Sequence, residues 1–105
     1  MDRAEQDRID RAKLLKPFVD VRLQKLIQVL MKGEQCTHEL AEKSCIPQST
    51  VSYHMKSLCD SGVVKRRRDG KWTYYHLCPE GVAVLKAELE HMVQICEWCL
   101  NTIER

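Results

Sequence analysis

Residues 48–77 read QSTVSYHMKSLCDSGVVKRRRDGKWTYYHL, and the fold turns on how the hydrophobic period changes within them. Val51, Met55 and Leu58 recur at three- and four-residue spacing, which marks one buried helix face. Ser49, Ser52, Tyr53 and Lys56 fall together on the opposite side, with His54 at the border. The pattern predicts a helix from about Gln48 to Asp60, ended by Gly62. Beyond it, Val63–Arg68 and Lys71–Leu77 are rich in β-formers and flank Asp69-Gly70. That dipeptide is a strong hairpin signal, because a type I′ turn needs positive φ at both central positions. Counting outward from it pairs Arg68 with Lys71, Arg66 with Thr73 and Val64 with Tyr75. It also sets Arg67 opposite Trp72, whose ring is expected to cover the arginine stem.

Working upstream, Thr37 is expected to cap a short helix from His38 to about Lys43, with Ser44-Cys45-Ile46-Pro47 as a tight connection. Two helices so joined form a helix-turn-helix, about 37–60, and the hairpin, about 63–77, is its wing. Asp20 is a plausible N-cap for a preceding helix that runs to Met31, with Gly33 at its exit. A first helix, about 2–16, stops at Pro17, and Pro79 opens a long last helix, about 80–104. The order α-α-α-α-β-β-α is that of a mainly α (α+β) winged helix-turn-helix in a single domain, 1–105.

A chain of 105 residues, 44% apolar, holds one modest core and suggests stability borrowed from a partner subunit. No apolar run is long enough to span a membrane, and the charged start MDRAEQDRIDRAK is unlike a signal peptide; a cytoplasmic location is expected. Net charge is only +2, yet residues 48–71 alone carry +4. Such a block fits a phosphate-binding surface, and a solvated hairpin is the plainer alternative. Combined with the helix face, it points to duplex DNA. Gln48, Ser49, Thr50, Ser52, Tyr53 and Lys56 suit base edges and phosphates in the major groove, while Arg66, Arg67, Arg68 and Lys71 suit phosphates or the minor groove.

The pieces ELAE, QSTVSYHMKSLCDSGVV and RRDGKWTYYHL, in this order across residues 33–77, resemble the core of the ArsR/SmtB family of metal- and metalloid-sensing repressors. The resemblance implies a homodimer that holds operator DNA and lets go when an inducer binds. It also implies a sensor in the third or the last helix. The family's third-helix Cys-x-Cys motif appears here as Cys36-Thr37-His38-Glu39, with His38 in place of the second cysteine. The last-helix zinc pattern needs two histidines, and only His91 is present.

In the last helix Val82, Leu85, Leu89, Met92, Cys96, Cys99 and Ile103 form a heptad seam, expected to be the dimer interface together with residues 2–16. Cys96 and Cys99 sit one turn apart on that seam. They are either small hydrophobes filling it or a soft-ion site, with Cys36 as a further metal ligand. No permanently bound cofactor is implied. The inducer expected is As(III)/Sb(III), or another thiophilic metal ion. Two alternatives stay open: a thiol-redox or reactive-sulfur sensor of the same fold, and, more distantly, a thiol-disulfide oxidoreductase using Cys96-Glu97-Trp98-Cys99. No paired carboxylates, nucleophile elbow or phosphate loop suggest other catalysis, so no enzyme is expected. Cys45, Cys59 and Cys78 are assigned no role, with Cys59 expected between the fourth helix and the wing.

Overall fold

The computed structural model describes residues 2–103. Helix α1 spans Arg3–Leu15 and gives way to a 3-10 turn at Lys16–Phe18. Then come α2 (Val21–Leu30), β1 (Gln35–Cys36), α3 (Thr37–Ser44), α4 (Gln48–Asp60), β2 (Val64–Asp69), β3 (Trp72–Leu77) and α5 (Pro79–Ile103). Glu104, the expected end of the last helix, lies outside the described residues. The strand β1 is an addition to the expected order. Its two residues are too few to show a period, but they pair antiparallel with β3 and complete a sheet of order β1-β3-β2.

Apolar spacing builds the core. Leu23, Leu26 and Leu30 of α2 meet Leu40 of α3 and Val51, Met55 and Leu58 of α4; Val63, Val64, Tyr75 and Leu85 close the cluster. Local chemistry fixes the helix starts. The Asp20 carboxylate accepts from the backbone N–H groups of Arg22 and Leu23, as expected of an N-cap. At α3 the cap is Cys36, one residue earlier than the expected Thr37, and the Cys36 N–H donates to Glu39 Oε1 at 2.9 Å. That contact is the reciprocal half of a capping box, and it draws Thr37 into the helix. The turn between α3 and α4 bends through Cys45 at φ +59°, while the Ser44 hydroxyl donates to the Leu40 carbonyl and accepts from the Ile46 N–H.

The hairpin corrects the expected register. Asp69 pairs with Trp72, Arg68 with Thr73, Arg67 with Tyr74, Arg66 with Tyr75 and Val64 with Leu77. The turn is therefore Gly70-Lys71. Gly70 has φ +61° and Lys71 is not among the positive-φ residues, the combination of a type II′ turn rather than the expected type I′.

Among the described residues no helix is long and apolar enough to cross a membrane. Helix α5 is joined to the rest near its start, where Leu85 enters the core and Gly81 lies against the backbone of Gly62 after α4. A Cβ at Gly81 would overlap the Gly62 carbonyl. Helix propensity favours alanine over glycine by at most about 1 kcal/mol, whereas overpacking costs roughly 1–3 kcal/mol. Gly81→Ala is therefore expected to lower the unfolding free energy in a urea titration, and a gain in stability would contradict this packing.

Candidate nucleic-acid interface

The core stripe of α4 decides what the helix shows to solvent. With Val51, Met55 and Leu58 fully buried, Gln48, Ser49, Ser52, Tyr53 and Lys56 are exposed and Thr50 is half-buried. Tyr53 is 71% exposed, with its ring edge-on to that of His54. The wing stands beside this face. Arg66 lines a cleft with Ser52, Lys56, Cys59, Asp60 and Tyr75, and Lys71 and Trp72 line another with His38, Gln48 and Ser52. Ser52 belongs to both, so the helix and the hairpin form one continuous surface. Alternation along β2 puts Arg66 and Arg68 on the face shared with Tyr75, and Lys65 and Arg67 on the other.

Arg67 departs from the expected set. Its guanidinium grips Glu34, with Nη2 to Oε1 at 2.6 Å and Nε to Oε2 at 3.3 Å. It also lies over Tyr74 at 4.7 Å from the ring centre, where Trp72 had been expected; Trp72 instead faces the Lys71 ammonium. The shifted register is the cause, since it places Tyr74 opposite Arg67. The Arg67 hydrogen bond holds the Glu34 carboxyl below its ordinary range, and Glu34 in turn raises Arg67. His76 Nδ1 lies 3.5 Å from Glu34 Oε2 and is buried without a hydrogen bond. Sequence reasoning missed Glu34 because its partner lies 33 residues away. Among the described residues Arg66, Arg68, Lys71 and Lys56 have no carboxylate within ion-pair distance.

The cysteines divide by burial. Cys36 and Cys78 are buried, Cys59 is intermediate, and Cys45, Cys96 and Cys99 are exposed, all as free thiols. Cys59 packs against the core and borders the cleft between α4 and the wing, and burial pushes its thiol up. Cys96 and Cys99 lie late in α5, amid exposed Met92, Ile95 and Trp98. Cys36 lies in β1 against β3, and among the described residues no three His, Cys, Asp or Glu side chains gather as ligands. A single chain therefore does not assemble Cys36, Cys96 and Cys99 into one site. The Cys96-Glu97-Trp98-Cys99 run lies in the last turns of α5, away from the helix start where redox thiols of this pattern sit.

A family model described as "Bacterial regulatory protein, arsR family" matches residues 21–66. The chain is 34% identical over 67 residues to the arsenical resistance operon repressor of Bacillus subtilis, covering 64% of each protein. It is 35% identical over 85 residues to a cadmium resistance regulatory protein homolog of Staphylococcus aureus, covering 80% of this chain and 70% of that one. It is 36% identical over 74 residues to a probable mercury resistance operon repressor of Streptomyces lividans, covering 70% of this chain and 59% of that one. The match thus spans somewhat less than two thirds of the Bacillus and Streptomyces proteins. A solved structure described as a "Possible transcriptional regulator for arsenical resistance" superposes with a TM-score of 0.70 at 32% identity, covering 76% of this chain and 83% of that one. The fold is also that of a homodimeric winged helix-turn-helix domain from Mycobacterium bovis, with a TM-score of 0.68 at 24% identity, covering 90% of this chain and 88% of that one.

The Glu34–Arg67 pair has a definite pH dependence. Because the folded-state pKa of Glu34 lies below 4.5, the pair is complete above that value and is lost as pH falls through the lowered one. The Arg67 Nε–H resonance is expected to titrate with a midpoint below 4.5. In Glu34→Gln that titration should vanish; a wild-type midpoint at or above 4.5 would contradict the pairing.

Proposed function

Starting from the fact that this chain belongs to the ArsR family of bacterial regulatory proteins, we propose that it is a transcriptional repressor that binds duplex operator DNA as a homodimer and is released by a thiophilic metal or metalloid ion. The observation that carries this reading is the exposed Ser49, Ser52, Tyr53 and Lys56 face of α4 beside the unpaired cations Arg66, Arg68 and Lys71. Short hydroxyls, one phenol and one ammonium present hydrogen-bonding groups to base edges without the bulk that would block entry to the major groove. The wing cations neutralise phosphates, which contributes affinity independent of sequence. Arg67 acts differently: held by Glu34, it fixes the wing to the loop before β1 and leaves phosphate contact to its neighbours.

The apolar face of α5 supports the dimer. Leu89, Met92, Val93, Leu100 and Ile103 share one side of α5 and are all exposed in the single chain, a patch of the kind that marks an interface. Pairing two α5 helices covers it and sets two reading helices about one DNA turn (~34 Å) apart.

The donor chemistry on α5 fits a soft ion. Cys96 and Cys99 are exposed, free and one turn apart, and thiolates select soft metals and metalloids. One chain supplies two thiols there, and a second copy across the seam supplies two more. Relatives named for arsenic, cadmium and mercury resistance favour this class, and arsenite or antimonite is placed first. Release requires that the ion bind the DNA-incompetent arrangement of the dimer more tightly than the competent one.

Fluorescence anisotropy with a labelled duplex from upstream of the chain's own gene tests this. Arsenite is expected to weaken binding of the reduced protein by roughly 5- to 150-fold, the usual range of such coupling. Cys96→Ser/Cys99→Ser should bind the duplex as the wild type does and ignore arsenite, while Lys56→Ala should weaken binding with or without it. Release that persists in the double serine variant would overturn the α5 site. Tight binding that arsenite, cadmium and mercury all leave unchanged, but an oxidant abolishes with a cysteine crosslink in the mass spectrum, would replace it with thiol-redox sensing.

A further inference from the structure

Helix α2 carries a second charged stripe that neither the wing nor the reading face uses. Leu23, Leu26 and Leu30 turn into the core. Beside them on the helix wheel, Arg22, Lys25 and Gln28 follow one another along an exposed face, and exposed Lys32 lies in the turn just past the end of α2. Across the groove from them stands Lys43 of α3, whose ammonium donates to the neutral Gln35 Oε1 at 2.7 Å. Among the described residues none of these four cations lies within ion-pair distance of a carboxylate. Three nearby acids have other work: Asp20 caps α2 through backbone N–H groups, Glu39 accepts from the Cys36 N–H, and Glu42 lies 3.5 Å from His38.

Two adjoining grooves connect this stripe to the reading helix. One holds Arg22 and Lys25 and ends at Pro47 and Thr50, the start of α4. The other holds Lys32 and Lys43 and shares Lys25 and Cys45 with the first. On the wheel of α4, Ser49 and Tyr53 lie between Ser52, which adjoins the wing, and Thr50, which adjoins the stripe. The reading face is thus flanked by unpaired cations on both sides.

We infer that Arg22 and Lys25, extended by Lys32 and Lys43, form a phosphate-binding track that holds the DNA backbone on the side of α4 opposite the wing. A groove lined with one sign of charge concentrates anions, and here it runs directly into the helix that carries the base-reading side chains. The track rests on the duplex-DNA reading proposed above and enlarges its footprint. It supplies affinity and register without sequence preference, because phosphate contacts position a protein while base contacts specify.

The test is the salt dependence of binding by Arg22→Gln/Lys25→Gln, followed by anisotropy on the upstream duplex and on a duplex of scrambled sequence. Both residues are exposed, so the urea midpoint should stay at the wild-type value. Each lost contact lowers the slope of log K against log salt by about 0.9, or about 3.6 for the four contacts of a dimer. The loss should be similar on both duplexes, unlike the sequence-dependent loss from removing a base contact. As a second readout, bound DNA should slow alkylation of Cys45, which lines both grooves. An unchanged slope with Cys45 unprotected, while the wild type binds DNA, would remove the track and leave the reading helix and wing standing. Wild-type protein that binds neither duplex would overturn both readings together.

Discussion

The buried stripe of α4 is the constraint on which the rest of the molecule depends. Val51, Met55 and Leu58 are sealed against Leu23, Leu26 and Leu40. Burying a side chain of this size stabilises by roughly 1.5–3 kcal/mol, so turning the helix by one residue would forfeit more than any single surface contact returns. The rotation of α4 is therefore set from inside, and the solvent face at Ser49, Ser52, Tyr53 and Lys56 is its consequence. A reading helix that had to find its orientation on contact with a ligand would lose affinity to that ordering. Here the core has done the ordering beforehand.

What could be read from sequence follows the same division between local and remote causes. The bounds of α4, the Asp20 cap and the exposure of Ser49, Ser52, Tyr53 and Lys56 rest on side-chain period and short-range hydrogen bonding, and the structure has them as expected. The hairpin was legible as a hairpin, but its register was not. Asp69-Gly70 predicts a two-residue turn, whereas Gly70 alone takes the positive φ and Asp69 stays in the strand. That single step moved every cross-strand partner and hid the stacking of Arg67 on Tyr74. The Cys36 cap escaped because sulfur is not among the usual capping groups, and β1 escaped because two residues carry no pattern. Glu34 had no signal at all, since its role exists only once the loop and the wing are folded together.

Charge on this surface is sorted by partner more than by residue type. Arg67 stands in the middle of a run of three arginines, yet it alone of the three is committed to a carboxylate and a tyrosine ring. A cation held in this way stiffens the sheet; a cation with no carboxylate partner has its charge available to an incoming anion. Lys56, Arg66, Arg68 and Lys71 near the wing and Arg22, Lys25, Lys32 and Lys43 by α2 meet that criterion among the described residues. Net charge of +2 conceals this arrangement, because nine of the fifteen acids fall in residues 2–10 and 80–104.

Helix α5 explains how an event at one end of such a molecule would reach the other. Its first turns are anchored, by Leu85 in the core and by Gly81 pressed on the Gly62 backbone where α4 ends. Its distal turns, which carry Cys96 and Cys99, are exposed at every described position from His91 to Ile103 and present apolar surface. A helix gripped at one end and free at the other acts as a lever, and close packing at the grip transmits its tilt instead of absorbing it. In the proposed dimer, a thiophilic ion that repacks the distal seam changes the angle between two such levers. Because each lever bears on the end of its own α4, that angle sets the spacing of the two reading helices, and a duplex with fixed groove spacing accepts only a narrow range of it.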